Sequence, residues 1–161
     1  MEHRAVIEST TVEAVHELLT KHAFLEDFAK EVGVTPGPIE GSQDADAVEA
    51  SMPWSFSTEN PAIPSLAQKF LPKEVELVWW QQWRADATGD IKVDLDGTPA
   101  ATCVGKASLH QDGDNVEYLV VTETKTHGVP WPLNGKVESM INKDLVGLIL
   151  SVQARVANRE T

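Results

Sequence analysis

Residues Leu133 to Glu160 carry the longest uninterrupted amphipathic pattern in the chain, and that pattern dictates what the preceding residues must build. At about 100° per residue, Val137, Ile141, Leu145, Leu148, Ile149, Val152 and Val156 share one arc, the core-facing stripe of a surface helix. Pro130, Pro132 and Gly135 punctuate its start. A helix from about Gly135 to Arg159 is roughly 37 Å long at ~1.5 Å per residue, enough to cross a small sheet diagonally. On the same wheel Val146 and Leu150 fall on the far side. They predict a second apolar strip that packs against other helices or forms a partner surface.

The upstream residues read as the sheet that such a helix needs. His3 to Ser9 alternate as a short strand, and Thr10 with Glu13 has the spacing of a capping box opening a helix that runs to about Thr20. Phe24, Leu25, Phe28 and Val32 repeat the helical spacing until Gly33, a C-terminal cap. Thr35 to Gly37 reads as a linker with a Pro-Gly turn. From Pro38 the period becomes two: Ile39 to Gln43 and Val48 to Phe56 read as strands about the turn Asp44-Ala45-Asp46, with Pro53 placing the second at an edge or bending it. Asn60 to Pro72 is a loop. Val75 to Arg84 is the strongest strand, with Val75, Leu77, Trp79, Gln81 and Trp83 on its inner face. Ile91, Val93 and Leu95 continue that face, then the small residues Ala101, Cys103, Gly105 and Ala107 with Leu109. After the hairpin turn Asp112-Gly113-Asp114-Asn115 come Val116, Tyr118, Val120, Thr122 and Thr124.

Composition narrows the function. With 161 residues, 42% of them hydrophobic, the chain suffices for one domain with its own core. The 25 acidic against 13 basic residues give a formal charge of −12, which repels phosphate backbones and anionic membrane surfaces, so no nucleic-acid partner is expected. No apolar run reaches membrane-spanning length, and Met1-Glu2-His3-Arg4 lacks a signal-peptide pattern, so the expectation is a cytoplasmic protein without stable membrane insertion. Cys103 is the single cysteine and reads as a small strand residue. His16, His22, His110 and His127 include no pair at ligand spacing, so neither a metal nor another cofactor is expected.

The order strand, two short helices, about six antiparallel strands and long C-terminal helix resembles the START-like (SRPBCC) superfamily, the helix-grip fold of lipid-transfer domains, polyketide cyclases and the birch-pollen allergen. Pro64-Ser65-Leu66-Ala67-Gln68-Lys69-Phe70, the turn Gly97-Thr98-Pro99, and Val129-Pro130 through Gly135-Lys136-Val137-Glu138 resemble the actinobacterial domain of unknown function family 2505. The strand around Met52-Pro53-Trp54 departs from that family's pattern. The resemblance implies an α+β fold over residues 1–161, a curved antiparallel sheet of six to seven strands around the last helix. It supplies no catalytic residues.

An inner face mixing Gly105 and Ala107 with bulky indoles predicts a cavity under the helix, walled by Leu77, Trp79, Trp83, Val93, Tyr118, Met140, Asp144 and Leu148, for a hydrophobic small molecule or lipid. Phe70 and Trp131, on proline-rich loops, are expected to gate it. Two alternatives stand beside a binding protein. One is an enzyme of polyketide cyclase or hydrolase type using Asp144 as acid or base and Tyr118 as donor. The other is an interaction module presenting Ser65 to Phe70 or the Val146 and Leu150 strip.

Overall fold

The protein is described by a computed structural model for residues 1–44, 46–59, 72–96, 100–129 and 132–161. An antiparallel sheet of eight strands runs in the spatial order β1-β8-β7-β6-β5-β4-β2, with β3 also on β4. The strands are β1 (Glu2–Ile7), β2 (Thr35–Pro36), β3 (Glu40–Gln43), β4 (Ala47–Ser57), β5 (Glu74–Arg84), β6 (Thr88–Asp96), β7 (Ala100–Asp112) and β8 (Asn115–His127). Helices α1 (Val12–Leu19) and α2 (His22–Val32) follow β1, and α3 (Asn134–Met140), a π-helical segment (Ile141–Val146) and α4 (Gly147–Glu160) form the terminal helix. The fold is α+β, with one helical layer on the inner face of the sheet.

Period-two alternation puts the expected side chains inside. Val75, Leu77, Trp79, Gln81 and Trp83 are each at most 2% exposed, as are Val93, Val116, Tyr118 and Val120. The outer face is solvated, with Asp90 bridging Arg84 at 2.7 Å and Lys106 at 2.6 Å. The Arg84 hydrogen bond holds the Asp90 carboxyl below its usual range.

Four local expectations change. The first helix is capped by Thr11, whose Oγ1 accepts from Ala14 N–H at 3.2 Å, one residue after the expected Thr10; Thr10 instead donates its N–H to Asp114 O at 3.0 Å. Thr35–Pro36 is not a linker but a two-residue strand. Pro53 lies in an internal strand, because β4 is paired to β5 on one side and to β2 and β3 on the other. The missing N–H is tolerated because β2 pairs with residues 54 and 55 and β3 with residues 48 to 51, so Pro53 falls at the break between them. Its carbonyl accepts from Gly37 N–H at 2.7 Å. Finally, the terminal helix is not uniformly α. Its π turn places successive inward residues five apart, so Ile141 with Val146 and Leu145 with Leu150 share the buried side at 0–4% exposure. Val146 and Leu150 are core residues, and the uniform wheel misplaced them.

The small residues of the inner face accommodate large neighbours. A Cβ on Gly105 would meet Val120 Cγ1 at 3.0 Å and Thr122 Cγ2 at 3.4 Å. One on Gly89 would meet the Trp83 ring and Gln82 O, both at 2.9 Å. The Trp83 indole thus lies across β6 where only glycine leaves room. Gly89→Ala is expected to lower stability by about 1–3 kcal/mol through overpacking, read as a drop in the urea midpoint with unchanged slope.

Candidate functional site

Between sheet and terminal helix the inner side chains form an aromatic zone and a polar seam. In the aromatic zone Trp54 of β4 stacks on Trp79 of β5 at 5.5 Å and 7°, and Phe28 of α2 meets both rings edge-on at 5.3 Å. Cross-strand pairing of Met52 with Trp79 and Trp54 with Leu77 brings the two indoles together, and α2 lies over them. Trp79 Nε1 donates to Gln81 Oε1 at 3.1 Å, and Gln81 Nε2 donates to Leu19 O at 2.8 Å, tying the sheet to the end of α1. Farther along β5, Trp83 lies 6.2 Å from the His16 ring, edge-on, and 6.2 Å from the Tyr118 ring.

The seam follows β8 against the terminal helix. The Tyr118 hydroxyl donates to Gln153 Oε1 at 2.7 Å. Toward the start of the helix, Asn142 Oδ1 accepts from Thr122 Oγ1 at 3.1 Å, Thr124 Oγ1 at 2.7 Å and Cys103 Sγ at 3.7 Å. Glu138 Oε1 accepts from both the N–H and the hydroxyl of Thr126 at 3.1 Å. The helix-side groups are thus matched to hydroxyl-bearing residues on the inner face of β8, at positions 118, 122, 124 and 126, with Val120 between the first two.

Burial drives the ionisable groups here toward their neutral forms. It pushes the Tyr118 phenol far above its usual range and raises the Cys103 thiol, so Tyr118 is a hydrogen-bond donor and Cys103 is not a thiolate nucleophile. His3 is held below the usual histidine value by burial, helped by the N-terminal ammonium, with its ring 3.1 Å from Thr122 Oγ1.

Polar satisfaction is incomplete, and in one direction. Among the described residues, three buried side-chain atoms have no hydrogen-bond partner: Trp54 Nε1, Trp83 Nε1 and Gln153 Nε2. All three are donors. Leaving each unmet costs about 1–3 kcal/mol, so the arrangement requires an explanation beyond packing. A crevice of about 190 Å3 reaches Tyr118 between β1 and the terminal helix, lined also by Ala5, Val120, Gly147, Leu150 and Ser151. Its volume is that of about six waters. A depression of about 520 Å3, lined by Pro36, Pro53, Glu76, Val78 and Asp94 among others, involves the outer, exposed positions of β4, β5 and β6.

The residues expected as walls fall as follows. Leu77, Trp79, Trp83, Val93, Tyr118 and Met140 are buried at 1–3% exposure. Asp144 and Leu148 are half-buried, and Asp144 has no ion pair or hydrogen bond among the described residues. Phe70 and Trp131 lie outside the described residues. Missing from the expected set were Gln153, Asn142, Gln81 and His3. Gln153 was findable only as a residue between the two apolar strips, falling between Ile149 and Val146 on the wheel; Asn142 was hidden by the π turn. Among the described residues no cluster of three His, Cys, Asp or Glu forms a metal site, and no helix is long and apolar enough to cross a membrane.

A family model described as "Protein of unknown function (DUF2505)" matches residues 2–158, so the chain belongs to that family. No protein with a curated description matches the sequence. Solved structures share the fold at low identity. TTHA0849 from Thermus thermophilus matches at 14% identity and TM-score 0.58, over 100% of this chain and 99% of that one. The Zhui aromatase/cyclase from Streptomyces sp. R1128 matches at 10% and 0.57, over 100% and 94%. Dicamba monooxygenase bound to 3,6 dichlorosalicylic acid matches at 13% and 0.57, over 99% of this chain and 50% of that one. The shared architecture is the helix-grip fold.

His3 makes stability depend on pH with a definite sign. The unfolded chain binds a proton near the ordinary histidine value of about 6.5, whereas folded His3 resists it, so the unfolded state holds more protons below that value. Stability from this group is complete above about pH 6.5 and is lost as pH falls through the lower folded value. His3→Gln is expected to flatten the thermal midpoint between about pH 7.5 and about pH 5.5 relative to wild type.

Proposed function

We propose that this member of the DUF2505 family is a non-catalytic binding protein for a hydrophobic small molecule or lipid, held between the sheet and the terminal helix. The observation that carries this reading is the crevice beside β1, which reaches the buried Tyr118 and is bordered by the small residues Ala5, Gly147 and Ala154. In this reading a ligand entering there meets Tyr118 first, and the packed side chains of Trp83, Trp79, Leu77 and Val93, with Met140 on the helix side, must shift to admit it further. Asp144 and Leu148 are half-buried, on the π turn and the first turn of α4.

Support comes from two sides. The helix-grip neighbours include an aromatase/cyclase and a monooxygenase bound to 3,6 dichlorosalicylic acid, the latter holding a small organic molecule. The interior itself favours binding over acid–base work: the ionisable side chains it buries, Tyr118 and Cys103, are stabilised as neutral groups, the opposite of what a base or nucleophile needs. The acidic excess of the whole chain disfavours nucleic acid as the partner.

Ser151 is exposed and lines the crevice, so a large side chain there obstructs entry without disturbing the core. Purified protein should release an apolar molecule on solvent extraction or take up an environment-sensitive apolar dye. Ser151→Trp should weaken dye uptake at least about fivefold with the melting temperature unchanged. Wild-type protein that carries nothing and takes up no dye would end the proposal.

A further inference from the structure

Resting on the binding reading above, we infer that the ligand is an uncharged molecule bearing carbonyl-type acceptor oxygens, a ketone or an ester, rather than a plain hydrocarbon, an alcohol or a free carboxylic acid. The argument starts from the direction of the missing hydrogen bonds. Trp54 Nε1, Trp83 Nε1 and Gln153 Nε2 are buried donors without acceptors among the described residues, and Trp54, Trp83 and Gln153 are each at most 1% exposed. An indole N–H can only donate. Gln153 is directed as a donor by its neighbour, because the Tyr118 hydroxyl already occupies its Oε1 at 2.7 Å. By contrast, the buried glutamine with no such role, Gln81, is used on both its atoms, by Trp79 Nε1 and Leu19 O. The unmatched polarity is therefore confined to N–H groups, and a molecule complementary to them brings oxygen acceptors.

Two of these donors lie behind the crevice, next to Tyr118, although neither Trp83 nor Gln153 is itself among its lining residues. The Trp83 ring lies 6.2 Å from the Tyr118 ring, the Tyr118 hydroxyl is bonded to Gln153, and Tyr118 lines the crevice with Leu150 and Ala154, which flank Gln153 along the helix. Both donors thus adjoin the phenol that lines the crevice.

The charge of the acceptor follows from what else is buried. The buried polar side chains among the described residues are Thr58, Gln81, Thr122, Thr124 and Gln153, with no lysine or arginine among them. Arg4 and His3 also line the crevice, but Arg4 already faces Glu117 at 2.8 Å and Glu2 at 3.5 Å, so a carboxylate passing into the interior would lose its hydration without gaining a free cation, a penalty that a neutral carbonyl escapes. The same surroundings keep the Tyr118 phenol from ionising, which is the same penalty applied to a resident group. An alcohol accepts as well as donates, but its own proton would then need an acceptor in a region that presents donors.

A trio of equal ring size separates these cases: fluorenone, fluorene and fluorene carboxylate, titrated into the full chain and followed by tryptophan fluorescence and calorimetry. Fluorenone should bind at least about tenfold more tightly than fluorene, and the carboxylate most weakly of the three. Trp83→Phe keeps a ring but removes one donor, and Gln153→Leu removes the other. Each should cut the fluorenone preference severalfold, read as the ratio of fluorenone to fluorene affinity within the same variant. Because the Trp83 N–H has no partner to lose, Trp83→Phe tests the donor separately from the Tyr118 to Gln153 bond. Equal binding of fluorenone and fluorene, or tightest binding of the carboxylate, overturns the inference while the binding function stands. Failure of all three to bind, together with no dye uptake, overturns both.

Discussion

The hydrogen bond from the Tyr118 hydroxyl to Gln153 Oε1 sets the relation between the two halves of the fold. Hydrophobic contact alone leaves a helix free to roll or slide on a sheet, because dispersion and burial carry little directional information. A buried phenol and a buried amide have no such freedom, since neither can turn to water. Each must meet the other or lose its partner, which fixes both the azimuth of α4 and its position along β8. Asn142 repeats the device one segment earlier, taking two hydroxyls and a thiol on a single oxygen. The π turn between them lets both matches be made. α3, of seven residues, and α4, of fourteen, each present one side to the sheet, and the wider turn at Ile141–Val146 resets their phase.

The parts of this architecture that depend on local periodicity were legible in the sequence. The alternation from Val75 to Trp83, the glycine cap at Gly33 and the hairpin around Gly113 all appear where pattern and turn chemistry put them. The order of elements pointed to the fold that the solved neighbours share. What pattern could not show is how side chains from different strands divide the same space. Gly105 and Ala107 read as gaps to be filled by something else, whereas Val120 and Thr122 lean over Gly105. Trp83 likewise lies over Gly89, a residue with no inner side chain to announce it. Such exchanges of volume between neighbouring strands belong to tertiary packing.

The candidate site was legible to a similar depth. Leu77, Trp79, Trp83, Val93 and Tyr118 were readable as inner residues because each obeys the period of its own strand, whereas Met140 falls beside the stripe of the uniform wheel. Their hydrogen-bond status was not, since whether an indole N–H is met depends on residues far away in sequence: Gln81 serves Trp79, while Trp54 and Trp83 have no counterpart among the described residues. The uniform helical wheel put Leu148 in the stripe and Asn142 outside it, and the π turn exchanged their importance. Phe70 and Trp131 remain sequence readings alone.

The sheet keeps its longest strands away from its margins. β4, β5, β6, β7 and β8, of nine to thirteen residues, are all flanked on both sides, while the margins fall to the six residues of β1 and to β2 and β3, of two and four. A free margin is a template on which another chain can add a strand, and its danger grows with its length and regularity. Here one margin is short and carries Glu2 and Arg4, and the other is broken in two beside a proline that offers no N–H. The interruption at Pro53, which on its face weakens the sheet, therefore also protects a β-rich protein from polymerising through its own backbone.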